Sequence, residues 1–413
     1  MKILFLNNAD SEGGSGRAAT RLLKALRNSS MDASLLVGRK FSDSPHVIGP
    51  KTSFGKALGF ARPTIEQTLF GISPRNTNGP FSPSFIPDRL PGKVAGLSPD
   101  IIHLHWVANM MRLETLRQFK APMVWTMHDS WPFTGGCYVP FDCTRYRESC
   151  GRCPVLGSSE ENDLSRRVWR RKQRAWQGLN LTFVAPSRWM AECARASSLF
   201  HASRIEVIPN PIDVGRFKPI HKGTARKILS LPLDKKLILF GAKSATTDRN
   251  KGFHLLAQAL NELASRIGKD TAEVVVFGTD EPTQPLNLDF KIHYLGWFSD
   301  DISLTLLYSA ADLFVLPSIQ ESLGYTVMEA MSCGTPCVAF DQGGVPDLIE
   351  HQKNGYLAKP YEPSDLARGI AWVLESDDRR EKLSFQARCK VVQEFALERI
   401  ADRHLALYRD IMQ

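Results

Sequence analysis

Residues Leu316–Ala339 read LPSIQESLGYTVMEAMSCGTPCVA, and the fold is decided by how this stretch is parsed. The apolar run Asp312–Leu316 before it reads as a buried parallel strand, and Pro336–Phe340 reads as the next one. Between them a short helical stretch ends at Gly334. Glu321 then falls in a loop at the C-terminal edge of a sheet. Glu329, eight positions on, falls in the first turns of the helix that follows. Ligands bind at that edge in open α/β sheets. A helix N-terminus there offers backbone N–H groups and a partial positive charge to a phosphate. Gly324, lacking a Cβ, lets the backbone approach a ligand. One carboxylate in the loop and one on the helix can each accept hydrogen bonds from a hydroxyl pair. The arrangement suits a nucleotide-sugar, with the diphosphate on the helix end, one glutamate on the donor sugar and the other on the ribose. The plainer reading is an ordinary strand–loop–helix with two solvated glutamates, which the spacing alone does not exclude.

A chain of 413 residues is too long for one comfortable core, so two domains are expected. Its 43% hydrophobic and 23% charged residues are those of a soluble globular protein. No apolar stretch has the length of a membrane span. The N-terminal MKILFLNNAD has too short an apolar run for a signal peptide, which points to the cytoplasm. The net charge of +9 suits anionic partners: nucleoside diphosphates, an acidic membrane surface or nucleic acid. In a cytoplasmic setting the eight cysteines argue against a disulfide framework.

Strand-like runs alternate with helical ones at Lys2–Asn7, Ser34–Val37, Ile101–His105, Met123–Met127, Leu181–Ala185 and Ile205–Ile208. The Pro-containing connector Ile208–Asp213 follows. The alternation then restarts at Leu237–Gly241, Glu273–Phe277, Lys291–Leu295, Asp312–Leu316 and Pro336–Phe340. This is the pattern of two doubly wound α/β domains, 1–212 and 213–393, with a cleft between them. A closing amphipathic helix spans 394–413. Phe41–Pro91, rich in Pro, Gly and Ser, reads as loops with a short helix or two.

Lys243 and Arg249 follow the strand ending at Gly241, and Lys251-Gly252 opens a helix. Cations at a strand's carboxyl end can neutralise a diphosphate, although most Lys and Arg are simply solvated. His128 stands at the end of the Val124–Met127 strand, with Asp129 next to it, placed either to orient His128 or to bind acceptor hydroxyls. Gly13-Gly14-Ser15-Gly16, before Arg17, looks like a phosphate-cradling turn at a helix start but does not match G-x-G-x-x-G. His103 and His105 alternate on one strand face and read most simply as structural, with His105 the candidate for an acceptor side.

Cys137, Cys143, Cys150 and Cys153 fall within seventeen residues and end in a C-x2-C pair. Four thiolates in a short Gly-rich loop can satisfy a tetrahedral structural zinc; an iron–sulfur cluster, reduced thiols or an adventitious disulfide are the alternatives. Arg166–Trp176 is strongly basic, with Trp169 and Trp176 seven apart. It reads either as a helix lying on an anionic membrane or as a surface helix whose tryptophans face the core.

The 316–339 string resembles the E-x7-E segment of retaining glycosyltransferases of family four, which have the GT-B fold of two facing Rossmann-like domains. The similarity runs over essentially the whole chain, through Lys251-Gly252, Gly343-Gly344, His128 and the glycine loop. It implies catalytic roles for His128, Lys251 and Glu321. It implies donor contacts from Gly14, Gly16, Lys243, Arg249, Leu323, Gly324 and Glu329, and an acceptor side at Arg17, His105 and Asp129. Where the family has Gly-Arg at the strand end, this chain has Gly241-Ala242-Lys243, so the second diphosphate cation stays open between Lys243 and Arg249. The resemblance implies same-face attack with retention, the leaving phosphate oxygen taking the acceptor's proton, and no catalytic metal. The cysteine insert is similar to that of colanic-acid-type transferases of exopolysaccharide assembly. That implies a nucleoside diphosphate sugar donor, a lipid-linked saccharide acceptor, the inner membrane face and no nucleic acid. A GT-B epimerase or phosphorylase is the other enzyme reading, and a zinc-containing nucleic-acid-binding protein the reading from another class.

Overall fold

The computed structural model describes residues 1–72, 77–281, 288–298 and 300–413, so residues 73–76 of the Phe41–Pro91 segment lie outside it. The chain divides into two units, Met1–Pro211 with Ile400–Gln413, and Ile212–Arg399. Among the described residues no helix is long and apolar enough to cross a membrane.

The first unit is built on seven strands: β1 (Lys2–Ala9), β2 (Asp32–Arg39), β3 (Val47–Ile48), β4 (Ile101–Leu104), β5 (Met123–Thr126), β6 (Leu181–Ala185) and β7 (Ile205–Val207). Their order is β3-β2-β1-β4-β5-β6-β7, with every pair parallel. Its helices are α1 (Gly13–Asn28), α2 (Ser53–Leu69), α3 (Leu90–Leu97), α4 (Leu164–Trp176) and α5 (Arg188–Ala196). The second unit has six strands: β8 (Lys236–Gly241), β9 (Ala272–Phe277), β10 (Ile292–Tyr294), β11 (Leu313–Leu316), β12 (Cys337–Phe340) and β13 (Gly355–Ala358). Their order is β10-β9-β8-β11-β12-β13, again all parallel. Its helices are α6 (Lys222–Ile228), α7 (Phe253–Ile267), α8 (Asp301–Ala310), α9 (Tyr325–Ser332), α10 (Pro363–Leu374) and α11 (Asp377–Glu394); α12 (Leu397–Ile411) closes the chain.

The second sheet shows why its strands read as unbroken apolar runs. Leu237, Leu239, Val275, Phe314 and Ala339 join one buried cluster, with α8, α9 and α11 residues. Their neighbours Ile238, Phe240, Val274, Val315 and Val338 join another, with α7 and α10 residues. A strand buried on both faces has no polar side to display.

Strand order reverses at one place in each sheet, between β1 and β4 and between β8 and β11. A crevice opens outside the carboxyl ends of the strands at such a point. β3 and β13 were not expected from the sequence, and the helix α2 is longer than the short one expected in Phe41–Pro91. The segment that groups with the first unit begins at Ile400 rather than at 394. Phe395 stays in a second-unit cluster, and its carbonyl accepts from Ile212 N–H at 2.9 Å.

The basic stretch Arg166–Trp176 is a core-packed helix, not a membrane-lying one. In α4, Trp169, Trp176 and Lys172 are all buried, and Arg171 pairs with Glu114 at 3.0 Å while capping the Phe85 ring.

Asp312 ties the second unit together behind its strand edge. Its carboxylate meets Arg226 and Lys222 at 2.7 Å each, and accepts from Leu237 N–H at 2.7 Å. Burial pushes its pKa up, but Lys222, the amide of Leu237 and Arg226 outweigh that, and the net shift is downward from 3.8. This contribution is full above the unfolded value and is lost as pH falls through the lower folded value. Asp312→Ala leaves Arg226 buried without its anion and should cost about 3–5 kcal/mol. Calorimetry across a pH series should show the wild-type transition losing this part of its stability only below pH 3.8, and the variant lacking that acid limb.

Candidate active site

The second unit's switch point gathers the charged residues that the sequence singled out. Glu321 sits in the loop after β11, and Lys251 in a 3₁₀ turn, Arg249–Lys251, on the connection after β8. Lys251 Nζ donates to Glu321 Oε1 at 2.8 Å, and the two side chains are 23% and 17% exposed. Burial lowers the Lys251 pKa. The charge and hydrogen bond of Glu321, with Asp248, more than offset it, so the ammonium is held above 10.5.

Backbone contacts and the Asn250 side chain fix this pair. Asn250 receives Ile319 N–H on its carbonyl at 2.8 Å and Gln320 N–H on Oδ1 at 3.1 Å, and its Nδ2 donates to Gln320 O at 3.0 Å. Gly252 has φ +70°, and a Cβ there would stand 1.8 Å from the Pro317 carbonyl oxygen. Only glycine lets the Lys251 turn press onto the β11 loop. Gly343, at φ +61°, packs on the other side, where a Cβ would meet Glu321 O at 2.3 Å, and Gly344 N–H donates to that oxygen at 2.9 Å. The Gly-Gly turn is therefore the backing of the Glu321 loop.

Gly324 is the N-cap of α9 at φ +100° and has no side chain to satisfy the first amides. Leu323 is a core side chain, 1% exposed, so only its backbone can serve a donor. Glu329 is also 1% exposed, and its Oε2 accepts from Tyr308 Oη at 3.1 Å. The structure thus brings Glu321 to Lys251 but gives Glu329 to Tyr308, a partner that the sequence reading missed. Lys243 and Arg249 are both exposed, Lys243 just past the β8 end and Arg249 in the Lys251 turn.

The first unit's switch point holds the histidines. Gly13-Gly14-Ser15-Gly16 forms the first turn of α1 directly after β1, with half-buried Arg17 following. His105, one residue past β4, is buried, and its Nδ1 lies 2.9 Å from His128 Nε2, the two rings stacked at 5.2 Å. Burial draws the His128 pKa down to about 3, which keeps its imidazole neutral. His103 stacks on His105 at 4.4 Å and is bonded to Thr126 Oγ1 at 2.8 Å and Tyr408 Oη at 2.5 Å. Asp129 does not orient His128, the first of the two roles open to it. Its oxygens accept from Trp131 N–H at 2.8 Å and Trp106 Nε1–H at 2.7 Å, and His105 takes the orienting place. Burial raises the Asp129 pKa to about 6 against those hydrogen bonds.

Cys137, Cys143, Cys150 and Cys153 line one cavity of about 10 Å³. Among the described residues, no three Cys, His, Asp or Glu side chains already stand as a metal-holding set. Burial raises the thiol pKa of Cys137 well above its usual value and that of Cys150 to about 12.

Residues 12–216 match the model of Glycosyltransferase Family 4, and residues 222–390 that of Glycosyl transferases group 1. The chain is a family 4-like glycosyltransferase. It is 27% identical over 368 residues to a D-inositol 3-phosphate glycosyltransferase of Xylanimonas cellulosilytica, covering 81% of each chain. The fold is that of sucrose-phosphate synthase from Thermosynechococcus elongatus, with TM-score 0.69, 19% identity, and 100% and 99% of the two chains covered. HepE of Anabaena, solved in complex with UDP-glucose, matches with TM-score 0.64, 18% identity, and 99% and 100% covered. The two-unit α/β architecture is GT-B, as the glycosyltransferase resemblance implied.

Because Gly252 holds both a left-handed φ and a backbone contact, Gly252→Ala should cost roughly 2 kcal/mol or more. Thermal unfolding of this glycosyltransferase should show it as a lowered transition, whereas an unchanged one would mean that the Pro317 contact is not tight.

Proposed function

We propose that this glycosyltransferase moves a hexose from a nucleoside diphosphate sugar to a lipid-linked saccharide in cell-surface polysaccharide assembly, with retention of anomeric configuration. The observation that carries the donor half is the Lys251–Glu321 pair at the β8/β11 switch point, beside the uncapped start of α9. An arriving diphosphate replaces Glu321 as the partner of Lys251 and frees that carboxylate for sugar hydroxyls. The bond that breaks joins the anomeric carbon to the phosphate oxygen. The bond that forms joins the same carbon to the acceptor oxygen, and the leaving phosphate oxygen takes the acceptor's proton. Negative charge builds on the leaving group, where a preorganised ammonium stabilises it. His128, neutral and with Nε2 committed to His105, offers Nδ1 as a polar contact rather than an acid or nucleophile. UDP is the first nucleotide to test, since HepE is known with UDP-glucose. Glu329, linked to Tyr308, is assigned to the ribose.

A screen of UDP, GDP and ADP by thermal shift, without added metal, should show a selective rise with one of them. Lys251→Ala should abolish that rise and slow transfer by about 100-fold or more. Near-normal turnover in the variant, or binding of nucleic acid with no response to any nucleotide, would overturn the reading.

The membrane half rests on α2 in place of the basic helix α4. Phe54, Phe60, Ile65 and Leu69 of α2 are exposed, Phe54 at 78% and Leu69 at 69%, and the exposed Lys51 and Lys56 stand among them. Exposed apolar side chains with flanking lysines suit an anionic lipid surface. The protein should sediment with vesicles containing anionic lipid and less with neutral ones. Phe54→Glu with Phe60→Glu should release it without lowering its melting temperature.

A further inference from the structure

We propose that Cys137, Cys143, Cys150 and Cys153 are the four ligands of a structural zinc, with Lys172 as its buried counter-charge. The first ground is convergence. The thiols come from four points of an irregular loop, yet line one cavity of about 10 Å³, room for a single small sphere. The thiols border this space without having closed on it, and the metal draws them in.

The second ground is the backbone around the C-x2-C pair. Cys150, Gly151 and Arg152 are consecutively left-handed, at φ 55°, 93° and 45°. Two of these are not glycine, and such a conformation persists only where surroundings over-determine it. One amide already points at a sulfur: Gly135 N–H donates to Cys150 Sγ at 3.1 Å. Donors aimed at sulfur favour the thiolate, the form that binds a metal.

The third ground is Lys172. Its side chain is 0% exposed, and its ammonium donates to the carbonyls of Trp131 and Thr134 and lies 3.8 Å from the Trp131 ring centroid. A buried ammonium without an adjacent anion is costly. Thr134, whose carbonyl it holds at 3.0 Å, lines the same cavity as the four thiols. Binding converts Zn²⁺ and four thiols to a tetrathiolate of net charge −2 and releases four protons. That dianion supplies what Lys172 lacks, and Lys172 in turn offsets one of its charges.

The test is metal analysis of full-length protein purified without chelator. One zinc per chain is expected, lost in Cys150→Ser/Cys153→Ser and kept in Cys193→Ser/Cys389→Ser. A folded wild-type protein free of metal, or one whose intact mass is lowered by 2 Da per disulfide, overturns the proposal. Lys172→Met should lose zinc to a chelator roughly tenfold more readily, the usual effect of a group that supports the ligands. Retention equal to wild type would overturn the counter-charge role.

Discussion

A parallel sheet covered on both faces leaves only its strand ends for charged side chains. Everything polar that this chain does is pushed there. In the second unit the sheet faces are apolar apart from the Glu273–His293 pair of β9 and β10, so the loops after β8 and β11 are where a lysine and a glutamate can meet while keeping contact with water. The reversal of strand order sends the neighbouring connections to opposite sides and opens the space between them. The glycines at 252 and 343 are consequences of that constraint. They clamp the Glu321 loop from two sides by backbone packing, so the carboxylate is positioned by main chain rather than by a flexible side-chain network.

A partly buried ion pair is a weak device for stability, because desolvation consumes much of what Coulomb attraction returns. The Lys251–Glu321 pair makes more sense as a resting arrangement. On the proposed reading each partner holds the other's rotamer until a competing anion arrives, and the lysine then needs little reorganisation to meet a diphosphate. Asp312 shows the contrasting case. It lies before the β11 strand, 4% exposed, with three cations (Lys222, Arg226 and Arg380) and a backbone amide around it, and it serves the frame alone.

How far this was readable in the sequence depended on how local each signal was. Most strands could be read because double burial writes them as apolar runs. β3, two residues long, is too short for any period to register. The Lys-Gly pair and the E-x7-E spacing could be read because they are contiguous. Glu329's partner Tyr308 could not, since it sits twenty-one residues upstream on α8. The helix Arg166–Trp176 left both readings open for a different reason. An amphipathic pattern states that one face is apolar, not what covers it. Here Trp125 and Trp131 cover Trp176, and even the lysine in the stripe is interior. Asp129 illustrates the same limit. Adjacency to His128 suggested a pair, but successive residues past a strand end diverge. The ring turned toward His105, and the carboxylate turned to the next loop.

The cysteine insert belongs to this argument rather than standing apart from it. It leaves the chain only a few residues after His128, and the run between them is held from several directions. Asp129 takes the amide and Lys172 the carbonyl of Trp131, whose indole donates to Ser82 O at 2.8 Å. Tyr146 and Val155 pack the insert into the first unit's core, but its backbone is largely irregular and keeps conformational freedom. Cross-linking it through one metal would remove that freedom at the strand end where His128 must keep a fixed orientation. On this view the insert's four cysteines and the buried lysine are part of how the first unit holds its histidine. The role proposed for them is structural even though they stand next to the candidate site.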